Sequence, residues 1–295
     1  MGGMSDPAEL IAAAPYGLTE TLSPLVRRVL ARNPSPFTYT GTGTYIVGHG
    51  TVAVIDPGPD RPEHVAALIA AVAGETVSHI VITHTHNDHS PAAPALQAAT
   101  GATIVGCAQL VLRDDGPRAD AGFDPTYAPD AILADGASVA GPGWTLTALH
   151  TPGHTSNHLC FGLAEERALF SGDHVMGWST TVVAPPDGDM AAYMASLMLL
   201  LHRNDARYYP THGAPVDEPQ RFVRGLLTHR RQRETQIITA LGQGPTTIPA
   251  MVATMYAGVD PRLHPAAGLS VLAHLIDMRA RSLVTQNGDV WALAA

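Results

Sequence analysis

The sequence carries its strongest constraint in four short patches, which together hold five histidines and two aspartates. Each patch follows a predicted strand or an apolar segment and has the composition of a tight loop. The densest patch is residues 84–89, with the sequence HTHNDH. Because imidazole and carboxylate groups together suit a borderline cation such as Zn²⁺, this patch predicts a metal site and favours hydrolysis.

Strands and a helix are predicted in βαβ-like order just before the first patch. Residues 44–47 and 52–55 are β-rich and are separated by glycines, which predicts a hairpin. Residues 61–73 carry apolar side chains at helical spacing, and residues 80–82 have the character of a short buried strand. Since ligands in such folds gather at strand ends, the first patch lies where a site is expected.

Further elements are predicted after the first patch. Ser90 followed by Pro91 indicates the N-cap of a helix that runs through Ala99, with its positive end facing the metal-bound ligands. The other predicted elements before residue 214 are strands at 103–105, 145–149, 158–163 and 168–170, a surface loop at 113–130 and a buried helix at 191–202.

The last part of the chain has the pattern of a small winged-helix module. A boundary is expected near residues 214–215, and Asn287-Gly288 is a strong hairpin signal between two β-rich runs. Such a module can bind nucleic acid, pack on its neighbour or form a homodimer, and the sequence leaves these alternatives open. Its predicted elements are helices at 220–241, 249–256 and 266–279 and strands at 282–285 and 290–293.

Composition and charge narrow the class of protein. The chain has 295 residues, of which 45% are hydrophobic and 15% charged, as in a globular protein. Residues 1–215 carry 9 Arg against 20 Asp and Glu (−11), and residues 216–295 carry 8 Arg against 6 (+2), which disfavours a wide nucleic-acid footprint. The sequence has no stretch long enough to span a membrane, and its start lacks the basic flank of a signal peptide. Cys107 and Cys160 lie in unrelated sequence contexts. We therefore expect a cytoplasmic protein that lacks disulfides.

In their order and spacing, the four patches resemble the metallo-β-lactamase superfamily over about residues 34 to 215. After the cluster at 84–89 come Pro-Gly-His at 152–154, Ser-Gly-Asp at 171–173 and His-Gly at 212–213. The resemblance implies an α+β fold, an αββα sandwich with the metals at one edge of its two sheets. A departure from the family pattern is Thr211, where glycine commonly precedes the last ligand histidine.

The resemblance also implies a dinuclear site. Two divalent metal ions, Zn²⁺ or alternatively Mn²⁺ or Fe²⁺, would hold a bridging hydroxide that attacks an electrophilic carbonyl or phosphorus. Asp88 is expected to be catalytic as well as a ligand, by passing a proton to the leaving group. The implied ligands are His84, His86 and His154 for the first metal, Asp88, His89 and His212 for the second, and Asp173 as the bridge.

Four segments are similar to one branch of this superfamily, which carries a C-terminal β-lactamase-associated winged helix and whose animal members resemble mitochondrial endoribonucleases. These segments are residues 33–38, 172–177, 180–182 and 228–237. The expected domains are an N-terminal extension at 1–33, the catalytic domain at 34–215 and the winged-helix-like domain at 216–295.

Four other features allow more than one interpretation. His174 could bind substrate, but a supporting role is favoured; His158 could equally orient a ligand or be a strand histidine. The arginine run at 230–233 is interpreted as a solvated helix face rather than a phosphate contact, and Cys160 as a core residue.

The expected function is hydrolysis of a small ester, thioester or lactone, with metal-dependent endonuclease action on single-stranded RNA as the alternative. Bona fide β-lactam hydrolases generally lack the bridging aspartate that the resemblance assigns to Asp173, so β-lactam hydrolysis is disfavoured. A purely binding or dimerisation role requires a degenerate site, and this set of residues is complete.

Overall fold

The computed structural model describes residues 7–111, 122–258 and 260–294. A seven-stranded sheet forms the first half of the main domain, and its strands are parallel from β4 onward. A short helix, α1 (Pro7–Ala13), precedes it. In sheet order, the strands are β1 (Thr19–Thr21), β2 (Val26–Leu30), β3 (Gly43–Val47), β4 (Thr51–Ile55), β5 (Thr76–Ile82), β6 (Thr103–Gly106) and β7 (Ala131–Ile132).

A five-stranded sheet forms the second half, with the order β12-β11-β10-β9-β8. Neighbouring strands are antiparallel except for β11 and β12, which are parallel. The strands are β8 (Ser138–Gly141), β9 (Trp144–His150), β10 (Leu159–Leu163), β11 (Ala168–Gly172) and β12 (Arg207–Pro210).

The two sheets share one apolar core, and helices cover their other faces. Tyr45 of β3 packs its ring against Phe170 of β11, with centroids 5.2 Å apart. Helices α2 (Pro62–Ala71) and α3 (Ala93–Thr100) contact the first sheet, whereas α4 (Met190–Leu201) packs with α5 (Pro219–Leu241) on the second sheet. This arrangement confirms the predicted α+β class and the helix-sheet-sheet-helix layering.

The C-terminal part forms the expected winged helix. Its three short strands pair in the order β13-β15-β14, and the hairpin turns at Gly288, whose φ of 56° suits glycine. Long helix α5 contributes Leu227 to the core beside the second sheet and Ile237 to the core of the winged helix, so it joins the two parts. The elements that follow α5 are β13 (Thr246–Thr247), α6 (Ile248–Met255), α7 (His264–Ala280), β14 (Val284–Asn287) and β15 (Val290–Leu293).

The structure corrects the predicted start of helix α3. This helix begins at Ala93, and no side chain caps its first turn. Residues 91–92 form a turn before the helix begins, and the Ser90 hydroxyl donates a hydrogen bond to Asp124 at 2.8 Å. The predicted capping by Ser90 is therefore wrong.

Two other expectations meet the structure only in part. Of the surface loop predicted at 113–130, residues 113–121 lie outside the described residues, and residues 124–130 contain no helix or strand. Strands β1 and β2 lie within the predicted N-terminal extension but extend the first sheet, with Val29 of β2 opposite Thr44 of β3. The predicted domain limits themselves stay predictions.

Both cysteines are buried and free, and among the described helices none is long and apolar enough to cross a bilayer.

Candidate metal centre

Four loops meet at one edge of the sandwich, and each begins where a strand of the core ends. Strand β5 ends at Ile82 just before the first patch, β9 and β12 end just before the second and the fourth, and β11 ends at Gly172 within the third. Gly172, at the end of β11, has a φ of 51°, and a Cβ there would lie 2.6 Å from Nε2 of His158. Glycine is therefore required at this turn, which directs Asp173 into the site.

The first group consists of His84, His86, His154 and Asp173, all buried. Nε2 of His84 lies 2.9 Å from Nδ1 of His86, and Nε2 of His154 lies 3.1 Å from the same atom. The ligand atoms of the group all lie within 4.8 Å of one another. Three imidazole nitrogens that converge on one point form a favourable site for a divalent cation.

The second group consists of Asp88, His89 and His212, which are also buried. Nε2 of His212 lies 3.1 Å from Oδ2 of Asp88, and Nε2 of His89 lies 3.7 Å from the same oxygen. The structure thus brings together the seven residues that the sequence analysis assigned to the two metals.

Asp173 lies between the two groups. Its Oδ2 is 3.7 Å from Nε2 of His154 in the first group. Its Oδ1 is 3.5 Å from Nε2 of His89 and 3.4 Å from Nε2 of His212 in the second. Because its two oxygens face opposite groups, this carboxylate has the geometry that a bridging ligand needs.

Hydrogen bonds outside the site fix the tautomers of the histidines. Nδ1 of His154 donates to the carbonyl of Val182 at 2.6 Å, and Nδ1 of His212 donates to the carbonyl of Gly41 at 3.1 Å. Nδ1 of His89 donates to a carboxylate at 2.9 Å. A carbonyl or an ionised carboxylate can only accept, so Nδ1 carries a proton and Nε2 is the ring nitrogen that faces the site.

The carboxylate that holds His89 belongs to Asp56, a residue that the sequence patterns did not single out. Asp56 is 1% exposed and also accepts hydrogen bonds from the backbone N–H of Thr83 at 2.8 Å and from its hydroxyl at 2.7 Å. The Thr211 hydroxyl donates to it at 3.2 Å. Thr211, the departure from the family pattern, is therefore part of this network. The only signal in the sequence was the position of Asp56 at the end of a strand.

Charge inside the site alternates between carboxylates and imidazoles. Burial opposes ionisation of Asp88, but the charges of His89 and His212 prevail and lower its pKa to about 2. Burial likewise opposes protonation of His212, but the carboxylates of Asp173 and Asp88 raise its pKa to about 10. The pKa of His89 is raised in the same way, well above its ordinary value, and that of Asp173 is lowered well below its own. The carboxylates therefore stay ionised and attract positive charge.

These residues fit divalent cations. Nε2 of His89 and Oδ1 of Asp173 are buried and have no hydrogen-bond partner among the described residues, although both face the site. Buried polar atoms without partners are uncommon, and a metal ion would satisfy both atoms. Imidazole and carboxylate ligands accept zinc, manganese and iron, so the ligand set does not decide between them.

His158 lies directly behind the site, and the ring of His174 lies beside it with centroids 5.8 Å apart. Nε2 of His158 accepts a hydrogen bond from the backbone N–H of Asp173 at 3.2 Å, and its Nδ1 donates to the hydroxyl of Thr151 at 2.9 Å. The ring of His174 packs against Tyr193 with centroids 4.7 Å apart, and burial lowers its pKa to about 3. His174 is fully buried and is not one of the described residues that line the cavity, so the structure does not place it against substrate.

The cavity above the two groups is small, with a volume of about 50 Å³. Its outer wall is mostly apolar, and the indole of Trp178 stacks on the ring of Tyr39 with centroids 4.8 Å apart. Beside Asp173 and the ligand histidines, its apolar lining consists of Pro36, Phe37, Met176, Trp178 and Val182.

The arginine run at 230–233 does not form one solvated face. Arg230 is only 3% exposed, which corrects the sequence-based interpretation for this residue. The guanidinium of Arg233 lies 4.3 Å from the ring centre of Tyr256, and Arg231 is exposed. Cys160 is a buried core residue, as expected, and accepts a hydrogen bond from the hydroxyl of Thr151.

Two parts of the sequence match known protein families. Residues 39–212 match the family described as the metallo-beta-lactamase superfamily. Residues 247–291 match the family described as the beta-lactamase associated winged helix domain.

Individual relatives cover most of the chain. An atrochrysone carboxyl ACP thioesterase, dmxR1 of Cryptosporiopsis sp., is 33% identical over 80% of this chain and 73% of its own length. A beta-lactamase-like protein 2 homolog of Caenorhabditis elegans is 37% identical over 75% of this chain and 72% of its own.

Solved structures share the fold at lower identity. A beta-lactamase domain protein from Burkholderia ambifaria superposes with a TM-score of 0.79 at 19% identity, over 95% of this chain and 94% of that one. The metallo-beta-lactamase family protein TTHA1429 from Thermus thermophilus gives a TM-score of 0.74 at 21% identity, over 92% of this chain and 100% of that one.

Proposed function

The chain belongs to the metallo-beta-lactamase superfamily, and on this premise we propose that it is a dinuclear metal-dependent hydrolase of a small ester, thioester or lactone. The observation that carries the proposal is the position of Asp173, whose two oxygens face the two groups of ligand atoms at the base of a small cavity. His84, His86 and His154 would hold one cation, Asp88, His89 and His212 the other, and Asp173 both.

Held by these residues, two divalent cations would activate water for attack near neutral pH and would stabilise negative charge on the substrate. The chain's own contribution is to present the ligand atoms in a buried, preorganised arrangement, since four of the histidines have their Nδ1 atoms engaged outside the site. The fourth of these histidines is His84, whose Nδ1 forms a hydrogen bond with the hydroxyl of Thr83 at 3.0 Å. Burial of the site also limits the access of bulk water, which strengthens every electrostatic interaction inside it.

Asp88 is proposed mainly as a ligand. A carboxyl whose pKa is about 2 is ionised at neutral pH and is a weak proton donor. This favours the ligand role over the proton transfer to the leaving group that the sequence analysis also assigned to Asp88.

The walls of the cavity support an apolar acyl substrate. Phe37, Met176 and Trp178 line the opening above Asp173 and offer no charged group to a substrate. A thioester or ester presents an uncharged carbonyl and an apolar chain, which suit this lining. The relative named as an ACP thioesterase supports the same class of reaction.

Single-stranded RNA is the weaker alternative. RNA binding requires basic side chains that reach phosphates, and stacking platforms for bases. Arg230 is buried in the protein and Arg233 lies over Tyr256, so two arginines of the run are engaged within the chain. We therefore keep RNA as one arm of the test.

The test is a parallel screen of the zinc-loaded and manganese-loaded protein. A thioester, an ester, a lactone, a β-lactam and a short single-stranded RNA would be compared at low salt. We expect turnover of one of the first three, and its loss together with lowered metal content in Asp173→Ala. The exposed Asp60→Ala variant is the matched control and should behave like the wild type. Unchanged turnover in Asp173→Ala, or cleavage of RNA alone, would refute the proposal.

A further inference from the structure

Arg230 is a buried cation in the middle of helix α5, between the two cores that this helix joins. It is 3% exposed, whereas its neighbour Arg231 is exposed. Removing a guanidinium from water is unfavourable unless hydrogen bonds and polarisable groups replace the water. The contacts of Arg230 therefore show which groups replace water around its guanidinium.

Those contacts lead towards the metal centre. Nη2 of Arg230 donates to the backbone carbonyl of Thr181. Nη1 donates to the hydroxyl of Ser270 on α7 at 3.4 Å, and the guanidinium carbon lies 5.1 Å from the ring centre of Tyr193. Within the described ranges no carboxylate forms an ion pair with Arg230, and the carbonyl of Thr181 accepts its shortest hydrogen bond.

The segment that receives this hydrogen bond touches two ligand loops. The hydroxyl of Thr181 donates to the carbonyl of Asp173 at 2.8 Å and to that of His174 at 3.0 Å. The next carbonyl along the chain, that of Val182, accepts the hydrogen bond from Nδ1 of His154 at 2.6 Å. One dipeptide thus contacts the loop of the bridging carboxylate and a histidine of the first group.

We propose that Arg230 is a positioning residue for the first metal site and acts through the Thr181-Val182 dipeptide on His154. Its guanidinium fixes the carbonyl of Thr181, and the adjacent carbonyl of Val182 then holds the His154 ring with Nε2 towards the site. The winged-helix part of the chain, through α5 and Ser270 of α7, thereby contributes to the geometry of the metal centre. The inference rests on the proposed function in so far as the two groups bind metal.

The experiment is a titration of the metal-free full-length protein with Co²⁺, followed by visible absorption and by competition with a chelator. Arg230→Met removes the donors and keeps much of the apolar stem. Since loss of a group that orients a ligand histidine lowers metal affinity by about 10–100-fold, we expect about a tenfold weaker affinity for one of the two equivalents, with an altered absorption band. Arg231→Met, at the exposed neighbour, is the matched control and should keep the wild-type titration.

A second variant identifies the equivalent that changes. His154→Ala should weaken the same equivalent, and adding Arg230→Met to it should produce no further loss at that equivalent, because the effect passes through His154. Wild-type affinities and absorption in a folded Arg230→Met protein would overturn the inference.

Arg230→Lys covers the case in which the methionine variant does not fold. Lysine keeps the charge but lacks the planar fork that reaches Thr181 and Ser270 together, so a smaller loss at the same equivalent is expected. An unchanged titration of Arg230→Lys would then overturn the inference. Metal binding is measured without substrate, so a protein that binds Co²⁺ as described but hydrolyses none of the screened compounds would refute the proposed function and leave this inference standing.

Discussion

Asp56 and His89 are 33 residues apart in the sequence, yet Oδ2 of Asp56 lies 2.9 Å from Nδ1 of His89. The same carboxylate receives hydrogen bonds from Thr83, at the end of β5, and from Thr211, at the end of β12. A single buried side chain therefore connects three loops, two of which carry proposed ligands. It orients His89 without lining the cavity.

Replacing Asp56 should weaken metal binding selectively. In Asp56→Asn the side chain loses its charge, so Nδ1 of His89 is held less firmly and the imidazole becomes a poorer ligand. We expect affinity for one cation to fall about 10–100-fold, measured by metal content after dialysis against a graded chelator. Asp60→Asn, at an exposed position nearby, serves as the control. Equal metal retention by both variants would contradict this role of Asp56.

Thr211→Val should show what the hydroxyl contributes. Valine has a similar shape but leaves Asp56 without one of its donors, and hydrogen bonds to charged groups contribute about 1.5–3 kcal/mol. Because the distance of 3.2 Å is long, we expect a loss of about 1 kcal/mol in the free energy of unfolding of the metal-free protein. Chemical denaturation measures it. Thr211→Ser keeps the hydroxyl and should restore most of the loss; if serine and valine behave alike, the hydrogen bond is unimportant.

Trp178 should set the preference for acyl chains. Trp178→Ala removes an apolar wall of the cavity and the stack on Tyr39, and aromatic pairs contribute about 0.5–1.5 kcal/mol beyond their buried area. We expect the ratio of kcat/KM for a hexanoyl ester to that for an acetyl ester to fall about fivefold. Trp178→Phe should keep most of the ratio. A parallel change for both esters would show that Trp178 supports the loop rather than the substrate.

Metal affinity should rise with pH. The pKa of His212 is raised to about 10 and that of His89 well above its ordinary value, so below these values protons compete with a cation for the two Nε2 atoms. Binding must release these protons, and affinity should still be rising at pH 8, by about tenfold per pH unit for each proton released. Calorimetry in buffers of different ionisation enthalpy counts the protons. Binding that releases none between pH 6 and pH 8 would disagree with the charges described for the site.

His274, on α7, should make the fold sensitive to acid. Burial and then the charge of Arg230 lower its pKa from 6.5 to about 3, so the folded protein keeps the ring neutral where the unfolded chain is protonated. Its contribution to stability is present above pH 6.5 and is lost as the pH falls from 6.5 towards 3.

In His274→Leu the free energy of unfolding should therefore depend less on pH in this window, by up to about 1.4 kcal/mol per pH unit. Denaturant unfolding of the metal-free protein at several pH values measures the slope. His49→Asn, in an exposed turn, should keep the wild-type slope. If His274→Leu keeps it too, the ring is not held neutral in the fold.

Much of the fold was predictable because its elements have local signals. The hairpin of β3 and β4 follows from β-rich runs around glycines, and the wing follows from Asn287-Gly288. The start of α3 was not predictable in this way, since the Ser90 hydroxyl binds Asp124, which is 34 residues away, instead of capping the helix. A capping signal is local, but the partner that the hydroxyl finally binds depends on the tertiary fold.

The sequence by itself determined which side chains could bind metal, because ligand chemistry belongs to the residue type and the four patches keep a recognisable order. Only the tertiary structure decided what surrounds them. Asp56 and Arg230 act through hydrogen bonds to groups that are distant in the chain, and no local pattern of residues marks such contacts. The burial that makes these contacts necessary arises only when the sheets and α5 pack together, since a buried charge must find its partners inside the protein.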